Sequence, residues 1–350
     1  MLAGVRLSLA APLTGFKGVL LPPAEITQEF LRIARETGTN AIVLELSGTN
    51  AAQVKRAAEQ VRQTRLDLYY WIEIGRSPEF ADAHPEWMAS IQTHPEWRRF
   101  FPRLPALQSG EVVKTYPWVP IWYEESFAAH LARVNKLLKS VPVARGIFLN
   151  DLQAAPSACG CGHQLCRWTP DYGPLQTAQR RGDSAAADFV AALRKAAPET
   201  RIIPVWVTEC EQADAEGLCA GVGCFKGACW REWTKQLGHV AEQTETLGAL
   251  VPYRAWDRDL ARYGAEAGWI KAAVASFETM PARYETRGVA ASRIVTVLQG
   301  WDVTPGQVQA QLARSGESGA GGFLVSRVRI EQGWEPRIFH TNQSVRPTPR

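Results

Sequence analysis

Residues 40–74 read NAIVLEL, SGTN, AAQVKRAAEQVRQTR and LDLYYWIEI, and this stretch decides the fold. Asn40–Leu46 is a continuous apolar run, the pattern of a parallel strand buried on both faces. Ala51–Arg65 reads as a helix with charged exposed positions, and Leu66–Ile74 returns to a strand-like run. Strand, helix and strand in succession form a βα unit of a parallel sheet.

Working outward, the alternation repeats. Phe16–Leu21 is a first strand ended by Pro22 and Pro23, and Thr27–Thr37 is a helix with Phe30, Leu31 and Ile33 inward. After a long interval, Gly75 to Tyr123, come the helix Glu124–Ser140 and the strand Ala144–Asn150. The helix Ser184–Ala196 precedes the strand Arg201–Val207, and the helix Trp230–Thr246 precedes the strand Ala249–Tyr253. Ala265–Tyr284 is mainly helical, Arg293–Leu298 is a strand, Thr304–Ser315 a helix and Gly321–Ser326 the last strand. Eight strands with helices between them predict one (β/α)8 barrel domain over residues 1–330. The remainder, 331–350, reads as a C-terminal wrapping segment and flexible tail. A doubly wound open sheet is the rival, but no G-x-G-x-x-G follows an early strand, which removes its dinucleotide-binding form.

Composition narrows the class. Of 350 residues 46% are hydrophobic and 21% charged, which is globular rather than disordered. Lys plus Arg number 39 against 35 Asp plus Glu, and the resulting +4 is scattered, so a nucleic-acid binder is not expected. No apolar run reaches the roughly 18–20 residues of a membrane span. Met1 to Pro12 carries one Arg and a short apolar stretch, which fits a signal remnant or an edge strand, so the compartment stays open.

In such a barrel the active site is built at the C-terminal strand ends. Glu45 and Ser47 follow the second strand; Trp71, Glu73 and Arg76 the third; Asn150 and Asp151 the fourth. Trp206 and Glu209 end the fifth, Arg254, Trp256 and Asp257 follow the sixth, and Trp301 and Asp302 the seventh. Indole faces cover the apolar face of a sugar ring and carboxylates accept its hydroxyl hydrogens, so carbohydrate is the expected ligand. A carboxylate pair about 5–5.5 Å apart gives retention at the anomeric carbon, and one ~6.5–9.5 Å apart gives inversion. Asp151 is the candidate nucleophile and Glu209 the candidate acid/base. Trp71, Glu73, Asn150, Arg254, Trp256, Asp257, Trp301 and Asp302 are the candidate substrate-binding residues. Strand-end carboxylates also cap helices or pair with Arg, and Trp also serves as core. The repeated His84-Pro85-Glu86-Trp87 and His94-Pro95-Glu96-Trp97 read as helix starts with Pro in the first turn.

All seven cysteines fall between Cys159 and Cys229, and an odd number in one block is not a closed disulfide framework. Cys159, Cys161 and Cys166 have a glycine-rich C-x-C-x4-C spacing that lets thiolates converge on a tetrahedral zinc. Cys210, at the end of the neighbouring strand, is the natural fourth ligand, with His163 behind it. Such a site is structural. An iron–sulfur cluster is the lesser alternative. Cys210, Cys219, Cys224 and Cys229 could instead form a second site or two disulfides.

Gly146-Ile147-Phe148-Leu149-Asn150-Asp151, with Cys159-Gly160-Cys161 and Cys166 after it, resembles a glycosyl-hydrolase-like barrel family. In that family a strand ending in a GIFxD run leads into a CxCxxC loop. Phe80 to Trp87 is similar to the segment such proteins carry after strand three, and the cysteine loop resembles the zinc loop of family-42 β-galactosidases. The likeness covers Phe16 to Trp168. It implies a TIM barrel, a carbohydrate substrate and a zinc that braces loops. Asn150 stands where the family's Asp often stands, with Asp151 one residue on. Three readings follow: a retaining glycoside hydrolase, a non-catalytic carbohydrate-binding barrel, or a metal or redox protein built on the Cys159–Cys229 region.

Overall fold

The computed structural model describes residues 11–89, 103–152, 184–207, 237–251, 269–279, 287–330 and 335–340. Eight parallel strands close into a barrel in the order β1 (Phe16–Leu21), β2 (Ala41–Glu45), β3 (Asp67–Glu73), β5 (Gly146–Asn150), β6 (Arg201–Val207), β7 (Leu247–Val251), β8 (Ile294–Gln299) and β9 (Gly322–Ser326). The closing pair is β1 with β9, in register from Phe16 opposite Gly322 to Leu20 opposite Ser326. The chain is therefore a (β/α)8 TIM barrel, as the strand–helix alternation predicts.

The continuous apolar runs are explained by two cores. Side chains alternate across a strand, so Leu20, Val43, Tyr69, Trp71, Phe148, Ile203, Val205, Leu250 and Val297 fill the lumen. Their neighbours, such as Ile42, Leu44, Tyr70, Ile72, Leu149 and Trp206, face the helices. Trp206 is thus a core residue outside the lumen. The helix Ala51–Arg62 buries Val54, Ala57, Ala58 and Val61, one stripe at helical spacing. The helix Ala185–Ala196 does the same with Phe189, Val190 and Leu193. Gly146 lets the lumen aromatics in: a Cβ there would lie 2.8 Å from the Tyr69 ring.

The long interval after β3 is not a bare connection. It holds a short helix, Pro78–Ala83, a 3-10 turn at Pro85–Trp87 and the strand β4 (Glu111–Tyr116). The first His-Pro-Glu-Trp tetrad begins that turn with Pro85 in its first position, and His84 stacks on Trp87 at 3.8 Å. The C-terminal strand β10 (Glu335–His340) pairs antiparallel with β4, placing Val113 opposite Ile338 and Glu111 opposite His340. The excursion and the chain end thus form a two-stranded ribbon beside the barrel. No helix among the described residues is long and apolar enough to cross a membrane.

Candidate active site at the barrel mouth

The alternation that fills the lumen below also fixes what lines its C-terminal mouth. Continuing from Val43, Trp71, Phe148, Val297 and Leu324, the next lumen positions are Glu45, Glu73, Asn150, Gln299 and Ser326. Three of these strand ends are pinned from outside the lumen. Asn50 donates its amide Nδ2 to the carbonyl of Glu45 at 3.0 Å. The guanidinium of Arg133, from the helix Glu124–Ser140, donates to the carbonyl of Glu73 at 2.7 Å. Gln311 accepts from the Gln299 amide at 2.9 Å and donates to its carbonyl at 2.8 Å. The backbone under the polar ring is held by side chains, which is the support a preorganised site needs.

Glu73 is the centre of the ring. Trp71 donates its indole N–H to Glu73 Oε1 at 2.6 Å, and Asn150 donates Nδ2–H to Oε2 at 2.9 Å. Withdrawal from water pushes the Glu73 carboxyl above the ordinary range, ahead of those two hydrogen bonds, which oppose the shift. The neighbouring Glu45 carboxyl pushes the same way and Arg76 opposes it. Burial also raises Glu45. Burial thus makes both adjacent acids harder to ionise than a free carboxyl, and one of them is held in a fixed orientation.

Asn150 is 1% exposed, and its Oδ1 is buried with no hydrogen-bond partner. An orphaned buried acceptor costs about 1–3 kcal/mol, and it is fixed here because the other end of the amide is committed to Glu73. Next to it, Asp151 adopts φ 60°, a left-handed conformation, and Asp302 after β8 adopts φ 50°. Residues held in that region cluster at functional sites. Gly75 makes the turn at β3 possible, because a Cβ there would stand 2.7 Å from the Asp151 carbonyl and 3.1 Å from the Trp118 ring.

Of the residues expected from sequence, Glu73, Asn150 and Trp71 come together directly. Trp71 is 1% exposed and lies nearly parallel to Phe148 at 6.2 Å, so it is a floor residue and hydrogen-bond donor, not an open sugar platform. Asp151 is 1% exposed and follows directly on β5 in a left-handed backbone, where the strand's alternation of sides ends. Trp301 keeps partial exposure at the rim against the lumen core, and the Gln299 amide donates to its carbonyl at 2.9 Å. Asp302 forms an ion pair with Arg329. Glu209, Arg254, Trp256 and Asp257 lie outside the described residues, as do Cys159, Cys161, Cys166 and Cys210. Among the described residues no cluster of His, Cys, Asp and Glu could hold a metal. Sequence reading did not single out Arg133, whose contact spans 60 residues. Glu45 was within reach, since strand parity puts it on the same side as Glu73.

No protein-family model matches the chain, and no curated protein matches it. Among solved structures it is similar to bee venom hyaluronidase, at 11% identity and TM-score 0.48 over 89% of this chain and 90% of that one. It is similar to the endo-β-1,4-mannanase of Thermotoga petrophila at 10% identity and TM-score 0.48, over 92% and 71%. It is also similar to an HpcH/HpaI aldolase of Desulfitobacterium hafniense at 12% identity and TM-score 0.37, over 89% and 86%. Glycoside hydrolases and an aldolase thus stand side by side among the neighbours. Likeness at this level carries no argument about chemistry; the barrel rests on its own strand pairing.

Proposed function

We propose that the protein is a glycoside hydrolase whose chemistry is carried by carboxyl groups at the C-terminal mouth, with Glu73 as the proton-carrying one. The single observation that supports this is the Glu73 carboxyl, fixed by Trp71 and Asn150, raised by burial and set beside Glu45. A general acid needs that combination of fixed geometry and elevated pKa. The half-buried indole of Trp301 supplies a rim face for a sugar ring. Asp151 is proposed as the nucleophile; Asp151 as nucleophile with Glu209 as acid/base is the alternative assignment of the two roles. The test is a screen of aryl glycosides and polysaccharides with the purified protein. Turnover that falls at least about a hundredfold in Glu73→Gln supports the reading. Unchanged turnover in that variant removes Glu73, and unchanged turnover in Asp151→Asn and Glu209→Gln removes that pair.

A second reading is favoured by one observation. The lumen position at the end of β5 is an amide, Asn150, rather than a carboxylate. A barrel that binds glycans without cleaving them would show sugar affinity with no turnover on the whole panel. We also propose that Cys159, Cys161, Cys166 and Cys210 hold a structural zinc, a reading supported by their spacing. One equivalent of zinc in a colourless protein agrees with it, while visible absorption would favour an iron–sulfur cluster.

A further inference from the structure

We infer that Arg133 is a positioning residue that acts on Glu73 by charge as well as by contact. Its guanidinium, enclosed behind β3 with no carboxylate beside it, helps the carboxyl on the lumen side of that strand to give up its proton. This rests on Glu73 as the proton carrier and names what keeps the proton removable.

Arg133 lies on the helix Glu124–Ser140. One NH2 group donates to the Glu73 carbonyl at 2.7 Å and lies 3.3 Å from His130 Nδ1. His130 is fully buried, with Nε2 3.0 Å from the Val119 carbonyl. That leaves Nδ1 as the acceptor, so the ring is neutral and brings no counter-charge. The Phe80 ring centre lies 5.6 Å from the guanidinium carbon, and Arg133 Nε is buried with no hydrogen-bond partner. Among the described residues no carboxylate forms an ion pair with Arg133. Buried charges are ordinarily paired, and this one is not.

Its support comes from farther off. Burial pulls the Arg133 pKa down, and the Glu79 and Glu73 carboxylates oppose that shift. Such support is mutual: if ionised Glu73 favours the charged guanidinium, the guanidinium favours ionised Glu73 by the same free energy. The groups facing Glu73 therefore divide. Burial and Glu45 on β2 keep the proton on, while the hydrogen bonds from Trp71 and Asn150 and the charge of Arg76 draw it off. Arg133 joins the second set from behind the strand, where solvent screens it least. A general acid must release its proton as well as hold it.

A purely structural role predicts the opposite sign. If Arg133 did no more than pin the strand end, its loss would let water reach Glu73 and bring the carboxyl down toward the ordinary range. Loss of the charge moves it up.

The experiment is a 13C NMR titration of the full chain labelled at the glutamate carboxyl carbons, with the Glu73 signal assigned by its absence in Glu73→Gln. Arg133→Gln keeps a donor for the Glu73 carbonyl, and Arg133→Met keeps only an apolar stem. Each should raise the proton affinity of Glu73 at least about threefold, and either serves if the other does not fold. A Glu73 titration that is unmoved or lowered in a folded variant overturns the inference and leaves the proton-carrying reading standing. If the wild-type carboxyl titrates in the ordinary glutamate range, the proton-carrying reading fails, and the sign in the variants still decides the role of Arg133.

Discussion

Toward its N-terminal end the barrel lumen is filled by Phe16, Tyr69 and Phe148, whose rings lie 5.3–5.9 Å apart, whereas its C-terminal end is lined by Glu45, Glu73, Asn150 and Gln299. The polar groups around the lower end are spent on structure. Arg145 and Asp67 pair at 2.8 Å, and the Arg293 guanidinium donates to the carbonyls of Ala241, Thr244 and Glu245. At the upper end acids are crowded together, two strand-end Asp residues adopt left-handed backbone, and a buried amide oxygen is left over. The lower end follows the rules of a stable core except at the Tyr69 hydroxyl, whereas the upper end departs from them at several neighbouring groups. Departures of that kind mark sites where stability is given up for chemistry.

The most direct way to break this comparison is at Glu73. Glu73→Ala should cut turnover at least about a hundredfold while leaving the barrel folded by circular dichroism. The pH dependence has a definite sign. Because the folded value lies above the ordinary one, the folded chain holds a proton that the unfolded chain has already released. Stability from this group is present at acid pH and is lost as pH rises through the folded value. Thermal melts should therefore show the variant gaining on the wild type between acid and neutral pH. A difference that stays constant with pH would mean that Glu73 is an ordinary exposed carboxylate.

Gly75 links the two strand ends of the mouth and comes next in size. The Cβ of Gly75→Ala has no room between the Asp151 carbonyl and Trp118. A loss of about 1–3 kcal/mol in urea unfolding is expected. Because the displaced backbone leads directly from Glu73, turnover should fall as well. A variant with wild-type stability would show that this approach is looser than the barrel around it.

How far the sequence reveals each end follows from what each is made of. The barrel strands are long apolar runs, and β1 and β6 have the boundaries their residues predict, while β7 begins two residues earlier than its apolar run implies. Strand parity was also readable, and it puts Glu45, Glu73 and Asn150 on the lumen side of their strands. The β4–β10 ribbon was not. Glu111–Tyr116 is short and lies among Pro and Trp residues, and its partner is more than 200 residues away in the chain, so no local pattern announces the pairing. The hydrogen bonds of Glu73 are hidden for a similar reason. Trp71 reads as a sugar platform by residue type, and only closure of the barrel shows its face covered by Phe148 and its N–H turned to Glu73.

His130 tests the wall behind the mouth. It is fully buried, its Nε2 lies 3.0 Å from the Val119 carbonyl, and Nδ1 accepts from Arg133 at 3.3 Å. Burial holds its pKa well below the ordinary histidine value, with Arg133 adding to the effect. The sign is opposite to that of Glu73. The unfolded chain takes up a proton first, so stability is full above the ordinary value and declines as pH falls below it. The slope is about 1.4 kcal/mol per pH unit while the folded ring stays neutral. His130→Gln should flatten that slope in urea titrations between neutral and acid pH. An unchanged slope would place the acid sensitivity elsewhere.

Tyr69 sharpens the comparison with the smallest effect. Its hydroxyl is buried without a hydrogen-bond partner, as Asn150 Oδ1 is, and burial pushes the phenol up to about 12. The two orphans differ in their surroundings. Tyr69 is packed against Phe16 and Phe148 and is 0% exposed, whereas Asn150 touches a partly exposed acid at the mouth. If the lower end is purely structural, the Tyr69 hydroxyl contributes only its desolvation cost. Tyr69→Phe should then leave sugar binding and turnover unchanged and shift stability by no more than about 1 kcal/mol, toward greater stability. Calorimetric melts and a glycan titration together decide it. A Tyr69→Phe variant that loses ligand affinity would show that the two ends of the lumen are coupled through the Tyr69, Phe148 and Trp71 stack, and the division between a structural end and a chemical end would not hold.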